Sequence, residues 1–166
     1  MEIQLASSSD FVEILFLLRQ CIKEMNEKGL KQWNMSYPSP EMIRSDIDSG
    51  ILYLFKELGI AKGMICLSKE KPDGYDDVDW RTDSGNVLYI KRFAVHPYWQ
   101  DSEVGEKLIA YAEEYAKDNK FTCIRMDVLD SYPVDDSFFS SKKFTMAGTF
   151  HSSFQKLPYT CYEKSL

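Results

Sequence analysis

Apolar side chains recur along this chain with two different periods, and the changes of period mark its elements. Phe11, Ile14, Leu15, Leu18, Ile22 and Met25 recur at helical spacing, as on one face of a helix. Asp10 ahead of that run, with Glu13 three residues on, reads as a capping box, and Gly29 is the natural stop, so a helix is expected over about 10–28. Residues 2–7 before it read as a short strand. Ser39-Pro40-Glu41 supplies a hydroxyl cap, a proline in the first turn and an acid at the positive end, opening a short helix that stops at Gly50. Residues 51–56 and 60–68 are strand-like and flank a tight turn at Glu57-Leu58-Gly59, which predicts an antiparallel hairpin. Residues 87–95 form a strong strand. Val104, Leu108, Tyr111, Ala112 and Tyr115 mark a helix over about 102–118. Residues 121–129 return to strand, with Ile124, Met126 and Val128 alternating to one side. A short helix at 133–141 carrying Val134, Phe138 and Phe139, then strands at 143–151 and 158–164, complete the chain.

The predicted order is β-α-α-β-β-β-α-β-α-β-β. The strand at 87–95, the helix after it and the strand at 121–129 form a β-α-β unit, so those strands are parallel and joined by a right-handed crossover. The hairpins make the rest antiparallel, giving a mixed α/β sheet with helices on both faces. Residues 69–86 break the pattern. They hold Pro72-Asp73-Gly74, Asp76, Asp77, Asp79, Asp83 and Gly85, with Tyr75 and Trp80 the only large apolar side chains, and predict a mobile surface loop, with a substrate lid as the alternative.

Composition narrows the class. With 166 residues, 44% hydrophobic and 28% charged, the chain is expected to be a single domain over 1–166, long enough to bury a core unaided. A net charge of -6 gains nothing from counterion release along a phosphate backbone, which argues against nucleic acid as a partner. The most apolar stretch, residues 11–22, is short and broken by Glu13, Arg19 and Gln20, so no membrane span is expected. Met1-Glu2-Ile3-Gln4 lacks the basic and apolar runs of a signal peptide. Cys21, Cys66, Cys123 and Cys161 are far apart among apolar neighbours and read as buried free thiols, which with the missing signal predicts a cytoplasmic protein. The only histidines are His96 and His151, and no metal site is expected. There is no GxGxxG, P-loop, HExxH or nucleophile elbow.

One local feature bears on a ligand. In Phe93-Ala94-Val95-His96-Pro97-Tyr98-Trp99-Gln100-Asp101-Ser102-Glu103-Val104-Gly105-Glu106-Lys107-Leu108 a buried strand ends, a polar loop turns and an amphipathic helix begins. The first N–H groups of that helix lack internal partners and converge at its positive end, which suits a phosphate. Gly105 would let backbone approach such a ligand. On the residues alone, an ordinarily capped helix or an unrelated anionic ligand remain alternatives.

Val95-His96-Pro97 followed by Gln100-x-x-x-x-Gly105 at a helix start resembles the acetyl-CoA-binding motif of the GNAT superfamily of N-acetyltransferases. The element order is similar to that fold over nearly the whole chain, and Gln32-Trp33 with Tyr37-Pro38 resembles bacterial members. The resemblance implies an acyl-CoA N-acyltransferase fold, a three-layer αβα sandwich with a splayed central strand pair. It implies that the backbone N–H groups of Gln100, Asp101, Ser102, Glu103, Val104 and Gly105, with Glu106 in the same turn, hold the pyrophosphate of acetyl-CoA. The main chain of Phe93, Ala94 and Val95 would bind the pantetheine, and an N–H near Ala94 or Val95 would polarise the acetyl carbonyl. The thioester would lie where the strands at 87–95 and 121–129 diverge, and an amine would attack it directly.

Two positions depart from the pattern. Glu103 stands where a glycine is usual, and a carboxylate there has to turn to solvent if a pyrophosphate binds. Near the C-terminus Phe144 matches the closing Phe, but Lys143 replaces Gly, Phe139 replaces the acid Tyr, Asp135 replaces Ala and Tyr132 replaces Asn. Phe139 is expected beside the cofactor at that position, and also reads as a core aromatic against the sheet. Ser137, Ser140 or Tyr132 could supply the acid, with Ser137 put forward. Tyr89 could hold a relay water or pack within its strand. His96 in a His-Pro turn reads as structural. Trp33, Tyr37, Trp80 and Tyr159 could line an acceptor pocket or simply pack, and Arg92, on the strand feeding the cofactor cleft, is a further substrate-binding candidate. The expected activity is acetyl transfer to a primary amine of a small molecule or peptide. The alternative is a CoA-binding module without turnover. The late strands at 143–151 and 158–164 offer edges through which a homodimer could form.

Overall fold

Ser7 and Asp10 open the first helix one turn earlier than the sequence suggests. The Ser7 N–H and hydroxyl both donate to Asp10 Oδ2 at 2.8 Å. The pair closes a 3-10 turn at Ser8–Asp10 that runs into α1 (Phe11–Glu27). Glu13 does not reach back to Asp10; its Oε1 accepts from the Ala61 N–H at 2.6 Å. The capping signal was real but belonged to Ser7, because Glu13 has a sheet partner that no local pattern reveals. At the other end Gly29 is left-handed (φ 73°) and the Leu30 N–H closes on the Met25 carbonyl at 2.8 Å, as a glycine stop requires.

The structure is a computed structural model that describes residues 2–82, 85–131, 136–152 and 156–166. The remaining elements are β1 (Glu2–Leu5), α2 (Pro40–Asp48), β2 (Leu52–Glu57), β3 (Ile60–Ser68), β4 (Val87–Val95), α3 (Val104–Asp118), β5 (Cys123–Leu129), α4 (Asp136–Ser141), β6 (Thr145–His151) and β7 (Pro158–Ser165). The predicted order is therefore the order found. The start of the last predicted helix, with Tyr132, Val134 and Asp135, lies outside the described residues, as does Asp83. Hydrogen bonding links seven strands in the order β1-β2-β3-β4-β5-β7-β6, with β4 and β5 parallel.

The chain divides into two compact units, residues 1–67 with 91–112 and residues 68–90 with 113–166. In the first, Ile14, Leu17, Leu52, Leu54, Met64, Ile65 and Leu108 are the buried centre. β2 and β3 meet through the turn Leu58-Gly59, where both residues are left-handed (φ 52° and 79°), the twist a two-residue hairpin favours. Phe55 faces Gly63 while Lys56 faces Ala61, so β3 carries one extra residue at Lys62. A methyl on Gly63 would stand 2.9 Å from side-chain carbons of Val104 and Leu108, which is how closely α3 approaches β3. Three residues on, the Cys66 thiol donates to Asp46 of α2 at 3.6 Å. An odd spacing on a strand means opposite faces, so α3 and α2 cover the two sides of β3.

In the second unit β7 lies between β5 and β6 and is antiparallel to both. The polar segment after β3 is not the mobile surface loop its composition predicts. Tyr75 sits in a 3-10 turn at Tyr75–Asp77 and is 1% exposed. The Trp80 Nε1 donates to the Tyr75 carbonyl at 2.8 Å. The Arg81 N–H and Thr82 hydroxyl both donate to Glu163 of β7 at 2.7 Å. Residues 69–82 form a strap whose few anchors are buried, and its many aspartates hide that from a composition count.

Candidate functional site

β4 loses its neighbour part-way along. Val87, Leu88 and Tyr89 pair in parallel with Cys123, Ile124 and Arg125, and the ladder ends there, although β4 runs on to Val95 and β5 to Leu129. Arg92 lies within the freed stretch with φ 48°, a left-handed backbone that bends a strand and costs on the order of 1–3 kcal/mol in a non-glycine residue. Asp46 holds it there. The Arg92 guanidinium donates through Nε and Nη2 to both Asp46 oxygens, with Asp46 buried and the Arg92 side chain 11% exposed. Burial and the same carboxylate push the Cys66 thiol up to about 12. Arg92, expected near an acceptor, is thus committed to a structural ion pair.

Past Arg92 the strand alternates regularly. The Ala94 carbonyl lies on the β3 side, 3.1 Å from where a Gly63 methyl would stand, and the His96 N–H donates to the Lys62 carbonyl at 2.8 Å. Phe93 and Val95 therefore turn their main-chain groups to the edge away from β3. Of the two residues expected to face a thioester carbonyl, Val95 rather than Ala94 is on that edge. The Cys21 thiol of α1 donates to the Val95 carbonyl at 3.4 Å. Burial pushes that thiol up to about 12, so it stays a donor at neutral pH.

The turn into α3 is tied to α1. Gln100 Nε2 donates to Glu24 Oε2 at 2.6 Å. His96 caps the Pro97–Trp99 turn by accepting the Tyr98 N–H on Nδ1 at 3.2 Å, packs beside Phe16 and Trp99, and is held below the usual imidazole value by burial. That is the structural role its His-Pro setting predicts. Within α3 the first i to i−4 bond runs from the Lys107 N–H to the Glu103 carbonyl at 2.9 Å. The amides ahead of it stand outside the α3 ladder, at the positive end of a 15-residue helix; of these the Gln100 and Ser102 N–H groups donate to the Pro97 and Trp99 carbonyls at 3.4 and 3.1 Å, and the Val104 N–H to Ser102 Oγ at 3.4 Å. Asp101, Ser102 and Glu103 are exposed, and the Glu103 carboxylate pairs with Lys107 one turn on. A methyl on Gly105 would meet the Phe93 and Val95 side chains at 3.6 Å, an ordinary packing contact. Val104 is buried and Glu106 exposed.

A model of the acetyltransferase (GNAT) family matches residues 18–139. The chain belongs to that family. No curated protein matches it by sequence. Among solved structures, this GNAT protein is similar to a GNAT-family acetyltransferase from Streptococcus agalactiae (TM-score 0.84, 18% identity, 99% of this chain and 95% of that one). It is also similar to the PaiA N-acetyltransferase of Thermoplasma acidophilum in complex with coenzyme A (TM-score 0.74, 16% identity, 99% and 98%). A third is YncA of Salmonella typhimurium with its cofactor acetyl-CoA (TM-score 0.71, 16% identity, 100% and 94%). At these identities the likeness is one of fold, the mixed α/β acyltransferase sheet.

The other expected site residues fall as follows in this GNAT chain. Trp33 is 5% exposed and Tyr37 half-buried in the first unit. Tyr159 is buried, stacked on Phe150, and Trp80 packs on Tyr75 in the second. Tyr89 is buried at the last rung, edge-on to Tyr75 at 5.8 Å. Phe139 is 3% exposed and stacked on Tyr162 at 4.3 Å, a core aromatic. Ser137 is exposed on α4. Two carboxylates were missed. Asp46 had a signal, since it lies three residues after Ile43 on the buried face of α2. Asp127 sits on the face of β5 opposite Met126, where alternation suggested an outward side chain, but the strap covers it: the Tyr75 hydroxyl donates to its Oδ1 at 2.7 Å. Among the described residues no group of His, Cys, Asp and Glu is placed to hold a metal ion, and no helix is long and apolar enough to cross a membrane.

Proposed function

We propose that this protein binds acetyl-CoA at the β4–α3 junction and transfers the acetyl group to a primary amine of a small molecule or peptide. The observation that carries the reading is the end of the β4–β5 ladder at Tyr89, after which the edge of β4 leads straight to the amides ahead of Lys107. A pyrophosphate at that turn would replace the Ser102 hydroxyl on the Val104 N–H, and Glu103, turned away into its pair with Lys107, would leave it room. Pantetheine fits the main-chain edge of Phe93 and Val95, with the Val95 N–H as the group that would polarise the acetyl carbonyl. Gln100 fixes the turn through Glu24. The bound coenzyme would supply the activated acetyl group, and the chain would orient it for direct attack by the amine. Four buried free thiols suit a reducing, cytoplasmic setting.

A second reading, a CoA-binding module without turnover, draws on Phe139, which stands in the aromatic core with no hydroxyl to protonate a departing thiolate. Calorimetry with CoA, then thiol release from acetyl-CoA with a panel of amines, separates the two. Binding with acceptor-dependent release is expected; binding with no release favours the module, and no binding overturns both. Replacing Glu103 with Gly removes a negative charge beside the phosphates and is expected to tighten CoA by up to about 1 kcal/mol, an exposed-pair magnitude. Unchanged or weaker binding would count against the pyrophosphate position.

A further inference from the structure

Residues 95–100, which lead from β4 toward α3, are held at both ends by α1, and every group involved belongs to the first unit. At one end the Cys21 thiol donates to the Val95 carbonyl at 3.4 Å; at the other Glu24 Oε2 accepts from Gln100 Nε2 at 2.6 Å. Cys21 and Glu24 are three residues apart and share a face of the helix. Phe16, lower on α1, stacks on His96 with ring centroids 6.4 Å apart. The planar peptide unit between Val95 and His96 is gripped from two sides. Cys21 holds its carbonyl, and the Lys62 carbonyl of β3 accepts its N–H at 2.8 Å. A thiol only 4% exposed thus spends its single donor on a main-chain group 74 positions away, on the edge of β4 turned from β3.

We infer that Cys21 and Glu24 are positioning residues for the coenzyme, one setting the carbonyl that meets its pantetheine arm and the other the turn that meets its pyrophosphate. The inference rests on the coenzyme-binding part of the reading above. A carbonyl oxygen accepts two hydrogen bonds. Cys21 uses one and leaves the other for a pantetheine amide N–H lying along that edge. Because a thiol is a weak donor, it orients the oxygen without satisfying it. A carbonyl already held in place loses less freedom when the ligand arrives, so the gain is preorganisation.

The two residues act on different parts of one ligand. Glu24 also pairs with Lys28 at 2.9 Å, which ties its carboxylate to its own helix and offsets part of its charge beside the phosphates. Burial keeps the Cys21 thiol protonated at neutral pH, so its contact is a neutral one. Losing the Cys21 donor should therefore be felt by whole CoA and not by its nucleotide portion. Losing the Glu24 acceptor should be felt by both. A side chain that merely filled space would behave otherwise: its loss would track the volume removed, and would not tell the arm from the nucleotide.

The test is calorimetry with two probes, CoA and 3′-phosphoadenosine 5′-diphosphate, which keeps the diphosphate and lacks the pantetheine arm. Cys21→Val fills the space without a donor, and Cys21→Ala removes both. Each is expected to weaken CoA by about 2–10-fold, and by the same factor, while leaving the fragment unchanged. Urea unfolding should meanwhile rank Val above Ala, as packing demands. CoA affinity that follows that stability ranking, with Cys21→Val binding as wild type does, overturns the Cys21 assignment. So does a fragment weakened as much as CoA; should the fragment bind too weakly to measure, the Val and Ala comparison decides alone. For the second residue, Glu24→Gln keeps an acceptor for Gln100 and Glu24→Leu does not, and comparing these two neutral variants removes the charge from the result. Glu24→Leu is expected to bind CoA about 2–10-fold more weakly than Glu24→Gln. Equal affinities overturn the Glu24 assignment. Failure of the wild type to bind CoA overturns the reading beneath both.

Discussion

Each unit of this molecule buries an arginine against a carboxylate, and the two pairs hold different things. Arg92 meets Asp46 through two nitrogens and two oxygens, and the beneficiary is a single left-handed residue in β4. Arg125 meets Glu163 off-axis, with Nε 3.7 Å from Oε2 and left without a hydrogen bond. There the carboxylate is satisfied by the strap, through the Arg81 and Thr82 donors, and the arginine by the Thr82 carbonyl and the face of Trp80. The first pair fixes a backbone angle; the second fastens a loop to a sheet. A buried ion pair is weak evidence of net stability in itself, because desolvation offsets the attraction. What it specifies is read from who else shares the charges.

The sharpest way to break that contrast is to delete the carboxylates. Glu163→Ala strands Arg125 and the strap donors together and is expected to cost about 3–5 kcal/mol or more in urea unfolding, with new proteolytic cleavage within residues 69–82. Asp46→Ala should cost about 3–5 kcal/mol through Arg92 while leaving the strap protected. If both variants open the strap equally, the two pairs do not have separate charges to keep. A finer cut is Thr82→Val, which removes one hydroxyl donor to Glu163 and should cost about 1 kcal/mol.

The more exposed cluster of Asp10, Glu13 and Lys56 serves as the control. Although burial opposes its charge, Lys56 and Ser7 hold the Asp10 carboxyl below the ordinary value. Its contribution is therefore complete above about pH 4, the unfolded value, and fades as pH falls through the lower folded one. Asp10→Asn should flatten that acid limb in a series of melting curves and leave stability between pH 6 and 8, as flagged by about the same Tm spacing, independent of pH. An unaltered acid limb would remove Asp10 from the account.

How much of this was legible follows from how far apart the partners lie. The β4–α3 junction could be read because strand, turn and helix start are contiguous, and the amides ahead of Lys107 follow from helix geometry alone. That Gly105 lies beside the Phe93 and Val95 side chains could not be read, because sequence does not say which side of a helix faces the strand. The strap was misread for a related reason. Its anchors reach Asp127 and Glu163, some 50 and 80 positions along the chain, and its local composition is that of solvent-exposed coil. Asp127 itself was hidden by correct logic: alternation put it opposite Met126, on a side that is outward only until another segment covers it.

Cys21, Cys66, Cys123 and Cys161 are each no more than 4% exposed, two in each unit. A chromogenic disulfide reagent added to the native protein should thus colour only with coenzyme A as it is liberated, giving a clean background for kinetics. Under denaturant the same colour becomes a clock for opening, and mass mapping of the labelled sulfurs would tell which half of the molecule gives way first.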